Sequence, residues 1–135
     1  MIDVSKLITM ADKIEAARQR KLAEINGAFE QAAAALTAGY PESERLTWPV
    51  QQAEVLAWAA DNQVPTPYLD GLAAARGTTP AEMRQLTLNQ VQAFMAASQQ
   101  LVGKRQRLRD AVQAVPAGAP DALGQIAAIT WDEVA

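Results

Sequence analysis

Histidine and cysteine are both absent from this sequence, which narrows the chemistry its side chains can do. Histidine is the usual general base near neutral pH, the cysteine thiolate the common soft nucleophile, and together they furnish most zinc sites. What remains is the carboxylate. Fifteen aspartates and glutamates could in principle trade protons or hold a hard cation through oxygen. Acid–base work needs two carboxylates set at one bond, and calcium needs a tight acidic loop such as D-x-D-x-D-G. Neither spacing occurs. Glu42, Glu44 and Glu54 read as solvated surface groups, and Asp70 and Arg76 as local capping and salt-bridge residues. The expectation is a non-enzymatic protein with no metal and no cofactor, one that acts by contact.

The residues suited to contact are aromatic. Trp48 and Trp58 lie ten residues apart on one short helical pattern, with Tyr68 just beyond it. Such rings carry large contact area at small entropic cost and often anchor interfaces. Equally, the two indoles could fill the junction between short and long helices. Trp131 lies beyond a flexible linker, near the acids Asp132 and Glu133. It either docks back onto a helical groove or inserts into a partner, and its distance from the helical body favours the partner. Trp48, Trp58, Tyr68 and Trp131 are thus the candidate partner-binding residues. Lys104, Arg105, Arg107 and Arg109 form a basic run near a helix C-terminus, where cations oppose the macrodipole. It lacks the interleaved aromatics and the density of charge expected of a nucleic-acid reader.

The elements that must position these residues are helical. Ile14, Ile25 and Leu36 form one apolar row at eleven-residue spacing, and Ala11, Leu22 and Ala33 another. A third row, Leu7, Arg18 and Phe29, is interrupted by arginine. This pattern predicts a long helix from about Val4 to Leu36, ended by Gly39 with Tyr40-Pro41 opening the connection. Thr47 with Pro49, and Thr66 with Pro67, mark the starts of two short helices, the first ending near Asp61 and the second closed by Gly77. Thr79-Pro80-Ala81-Glu82 carries the capping-box spacing. From it a second long helix is predicted to Val115, stopped by Pro116. Gly103 inside that helix calls for a close helix contact or a bend. PAGAPDALG then reads as a linker, and QIAAITWDEVA as a tail without helical periodicity.

The fold class expected is all-α: two long helices, about 4–36 and 80–115, packed antiparallel and capped by two short ones, with a mostly irregular C-terminal tail. Residues 1–115 would form a single helical domain and 116–135 a linker and tail available to a partner. Half the residues are hydrophobic but only 5% are aromatic, and alanine buries little area. The core should be thin, with apolar surface left for a partner or for self-association through the long helices. The net charge of −3 is uneven, with residues 80–115 the one basic stretch. The N-terminus mixes both signs of charge without a long apolar run, so neither a secretory signal nor a membrane span is expected.

The central residues TWPVQQAEVLAWAAD and PTPYLDGLAAARG, with the later AFMAASQQLVGKRQRLRDAV, resemble one family. These are the tail fibre assembly proteins, or tail fibre chaperones, of bacteriophages and phage-tail-like bacteriocins. The shared pattern is W-x-x-Q-x-x-E, an alanine-rich helix, a Pro-Thr-Pro turn, L-D-x-L-A-A-A-R-G and a later G-x-R-Q helix, over roughly residues 40–112. The resemblance implies a helper that binds the C-terminal region of a tail fibre protein and promotes its folding or trimerisation. It would work in the cytoplasm of the bacterial host during assembly, or stay attached to the fibre as a tip adaptor in the mature particle. It implies neither a membrane nor a nucleic-acid partner. G-x-x-x-x-G-K-[ST] is absent, so any chaperone action is expected to need no ATP.

Overall fold

A computed structural model describes residues 9–132 of the chain. Six helices follow in order: α1 (Met10–Thr37), α2 (Glu42–Arg45), α3 (Trp48–Ala60), α4 (Pro67–Arg76), α5 (Pro80–Ala114) and α6 (Ala122–Ala127). No strand occurs among the described residues, and the all-α class with two long helices holds. The residues group into two units, 9–35 with 99–132 and 36–98.

In the first unit α1 runs antiparallel to the C-terminal part of α5. Contacts to α5 step backwards as α1 advances: Arg18 meets Val115 and Asn26 meets Arg105. The pair closes within one chain. Leu22 and Ile25 pack with Leu108 and Val112, while Ile14 packs with Val115, Ala122 and Ile126. The arginine that interrupts the apolar stripe has a structural role. Arg18 Nη2 donates to the Val115 carbonyl at 2.6 Å, just past the end of α5 where helix carbonyls lack intrahelical partners. Glu15, beside it, is held below its ordinary 4.5, chiefly by the hydrogen bond from Gln19 Nε2 and then by Arg18.

Two boundaries of this unit differ from expectation. Within the described residues α1 starts at a reciprocal cap between Thr9 and Asp12. Asp12 N–H donates to Thr9 Oγ1 at 3.1 Å and Thr9 N–H to Asp12 Oδ2 at 3.2 Å, so α1 begins at Met10. Leu7 and residues 4–8 of the predicted helix lie outside the described residues. The segment after Pro116 is not wholly irregular either. Asp121 accepts from Gly124 N–H at 3.2 Å and starts α6, whose six residues are too few to display a period. Ala122 and Ile126 are buried, so this segment belongs to the first unit rather than trailing from it.

In the second unit α3 and α4 form a hairpin packed on the N-terminal part of α5 around Val55, Leu69, Ala73 and Met83. Thr47 and Thr66 occupy the positions before α3 and α4, yet neither hydroxyl caps its helix. Thr47 Oγ1 donates to the Glu44 carbonyl at 2.7 Å and Thr66 Oγ1 to Asp70 Oδ1 at 2.9 Å. The cap of α4 comes from Glu54 on α3, which accepts from the N–H groups of Tyr68 and Leu69 at 2.9 and 3.0 Å. Glu54 is therefore a structural carboxylate and not a solvated one. Gly77 ends α4 at φ 84°, with Thr78 N–H donating to Ala73 O at 3.0 Å and Gly77 N–H to Ala74 O at 3.3 Å. That is the Schellman arrangement, which favours glycine at the left-handed position. Thr79 Oγ1 accepts from Glu82 N–H at 3.1 Å as the capping box requires, while the Glu82 carboxylate takes the Thr78 hydroxyl.

Gly103 lacks the close helix contact expected of it. A Cβ there would meet nothing within 4 Å, and the same holds for Gly27. Between Asn89 and Arg107 no residue of α5 is fully buried, so local helix propensity counts for more in this stretch than at the helix ends. Gly103→Ala is expected to stabilise the chain by about 1 kcal/mol, because alanine has the same room and less unfolded-state entropy to lose. Denaturant unfolding followed by circular dichroism measures it. Glu54→Ala, which leaves two N–H groups at the start of α4 without their acceptor, should cost about 1 kcal/mol in the same experiment.

Candidate protein-binding groove

The sequence makes α3 amphipathic in an unusual way. Val55 faces the core, fully buried, while Trp48, Gln52 and Leu56 line an adjoining groove. Pro41 starts the short helix α2 by setting an extended conformation before it, and this turn brings Tyr40 onto Trp48. The two rings meet edge to face, centroids 5.0 Å apart at 79°. Phe94 of α5 approaches the other side of Trp48 at 6.0 Å and 67°. Such pairs contribute about 0.5–1.5 kcal/mol each beyond the area they bury, so the three rings hold one another in place.

The groove beside this ladder encloses about 1450 Å³ and is bounded by Leu36, Tyr40, Trp48, Leu56, Leu72, Met83, Val91 and Phe94, with Tyr68 at its margin. Every lining residue belongs to the second unit. Tyr40, Tyr68 and Phe94, all lining it, remain exposed at 44%, 37% and 38%. Large apolar side chains left open in one place favour a binding role over a solvated surface. The polar lining is mainly amide and hydroxyl: Gln51, Gln52, Gln90, Thr47 and Thr87. Thr87 Oγ1 is buried and without a hydrogen-bond partner.

Of the four aromatics singled out in the sequence, two line this groove, Trp48 and Tyr68. Trp58 lies elsewhere. Its indole packs against the Val55–Leu69 core, and the Arg84 guanidinium sits 5.3 Å above the ring. Arg84 is fixed there by Asp70 at 3.3 Å, the cross-helix pairing expected of Asp70. Trp131 lies in the first unit. It packs on the Leu22–Val112 cluster, meets Phe29 edge to face at 6.5 Å, and has Lys104 Nζ 4.2 Å from its centroid. Of the two courses open to it, the structure shows docking onto its own helices. Arg105 sits over Phe29 at 5.7 Å and donates to Asn26 Oδ1 at 2.8 Å. Two members of the basic run are therefore engaged in packing.

Tyr40, Leu72 and Leu36 were not marked by the sequence as contact residues. Tyr40 read as a connector because it precedes a proline, and its partner Trp48 is eight residues on, across a turn. Phe94 falls inside the second long helix predicted from Pro80 to Val115, without a sign in the sequence that its ring remains open.

Among the described residues no group of acids could hold a metal ion, and no helix is long and apolar enough to cross a membrane. Comparison with family models, curated proteins and solved structures finds no match to this chain.

Replacing Trp131 with alanine removes a ring that covers the Leu22–Val112 cluster and should cost about 2 kcal/mol, less than a fully buried tryptophan. Thermal unfolding of Trp131→Ala against the parent chain measures the loss.

Proposed function

We propose that this protein is a non-enzymatic tail-fibre assembly chaperone. On this reading it holds apolar segments of a fibre chain until three copies associate. The observation that carries the proposal is the open aromatic groove, with Tyr40, Trp48 and Phe94 braced against each other and Tyr68 exposed at its margin. A braced ring loses little freedom on binding, so contact area converts to affinity more efficiently. The pattern behind the family resemblance bears on the same place. Glu54 caps α4, Asp70 holds Arg84, and Gly77 ends α4, so these residues build the hairpin that walls the groove, and Trp48 faces it.

The fibre is bound by its C-terminal region in the host cytoplasm. Assistance comes from binding energy alone, through preference for one state of the client. No nucleic acid takes part, in keeping with Lys104 and Arg105 lying over aromatic rings of their own chain.

Co-expression with the tail fibre encoded nearest to it is expected to raise the yield of soluble trimeric fibre, and the purified protein should assist refolding of purified fibre equally with and without ATP. The proposal fails if the fibre trimerises as well alone and no complex survives size-exclusion chromatography. The double variant Trp48→Ala with Phe94→Ala should lose most of the gain, because it removes the centre of the ladder.

A further inference from the structure

Residues 36–98 carry six acids and three bases, so the second unit is acidic as a whole. Its charges are distributed unevenly. Glu54 is held by the backbone of α4, Asp70 by Thr66 and Arg84, Asp61 by Gln63 N–H, and Glu82 by the Thr78 hydroxyl. Arg84 is paired with Asp70 above Trp58. Among the described residues, the two bases left in this unit, Arg45 and Arg76, are exposed and have no ion pair or hydrogen-bonded side-chain partner. Both line the aromatic groove, where the one acid among the lining residues is Glu44. A groove carrying surplus positive charge on an acidic body is the reverse of what average composition would produce.

From this we infer that the groove takes a polypeptide segment combining aromatic or aliphatic side chains with carboxylates, the carboxylates lying against Arg45 and Arg76. The apolar side chains would fill the space between Trp48, Leu72 and Phe94. Guanidinium suits the task because its planar fork grips a carboxylate through two parallel hydrogen bonds. Gln51, Gln52 and Gln90, with the unpartnered Thr87 hydroxyl, offer donors and acceptors to the segment's own amides, which need partners when water leaves. A basic segment would meet like charge at Arg45 and Arg76, with Glu44 the one acid of the lining to offset them. Selectivity for acidic over basic segments therefore comes from electrostatics and affinity from the rings. This inference rests on the groove being the binding site, and it names the chemistry of what binds there.

A displayed library of random dodecapeptides, selected against the intact chain, tests it without presupposing any client. Selected peptides should combine Phe, Trp, Leu or Ile with Asp or Glu. Arg45→Glu with Arg76→Glu should weaken the best of them by about tenfold, and a peptide with its acids changed to lysine should regain affinity for that double variant. Both arginines are exposed, and an unchanged melting temperature checks that the variant folds. Selection of neutral or basic peptides, or equal binding by the double variant, overturns the inference. A fibre complex that forms regardless of both substitutions would overturn it too while leaving the chaperone reading intact. Acidic peptides selected alongside a fibre that never binds would do the reverse.

Discussion

The Glu54 carboxylate is the interaction on which the second unit turns. It leaves α3 and accepts from two N–H groups at the start of α4, where the helix dipole is positive and backbone donors are otherwise unpaired. One side chain thereby fixes both the position and the axial register of α4 against α3. The Pro65-Thr66-Pro67 turn cannot supply this itself. Proline side chains carry no acceptor for those N–H groups, and the Thr66 hydroxyl makes no cap bond, turned instead to Asp70 and Arg84. With α4 fixed, Leu69 and Ala73 reach the core while Tyr68 and Leu72 reach the groove.

The first unit uses a different economy of contacts. Two alanine-rich helices leave a shallow seam, and the segment after Pro116 covers it with Ala122, Ile126, Ile129 and Trp131. Arg18 bridges from α1 to the last carbonyl before Pro116, so a charged residue marks where the chain leaves α5 and turns back. Lys104 and Arg105 lay their cationic heads on Trp131 and Phe29. What looks like a basic surface run is in part the packing of long side chains over rings.

Much of the fold was legible because local chemistry determined it. Gly77 with its left-handed turn, Pro80 behind Thr79, and Pro116 after Val115 each act within one turn of helix, and each boundary fell where expected. Features that depend on distant residues were hidden. The apolar rows run on smoothly towards Val4, and only the reciprocal bond between Thr9 and Asp12 ends α1 at Met10. Glu54 looked solvated since its partners lie fourteen and fifteen residues away. For Trp131 the sequence favours a partner over docking because its cover, Phe29 and Lys104, comes from two other helices. Of the aromatic site, Trp48 and Tyr68 were found by residue type alone, whereas Tyr40 required the turn at Pro41 to be known.

The bare middle of α5 has a consequence for how the molecule breathes. From Asn89 to Arg107 the helix has no fully buried side chain. Its tertiary contacts there are half-exposed ones, Val91 on the Val55 cluster, Phe94 on Trp48, and Lys104 and Arg105 over Trp131 and Phe29, so backbone bonds and helix propensity carry a larger share than at either end. Opening there would exchange amide protons with solvent at little tertiary expense, while the ends of α5, locked by Met83 on one side and Leu108 and Val112 on the other, stay protected. A single unbroken helix would thus display two slow-exchanging segments separated by a fast one, a pattern set by side-chain cover rather than by secondary structure.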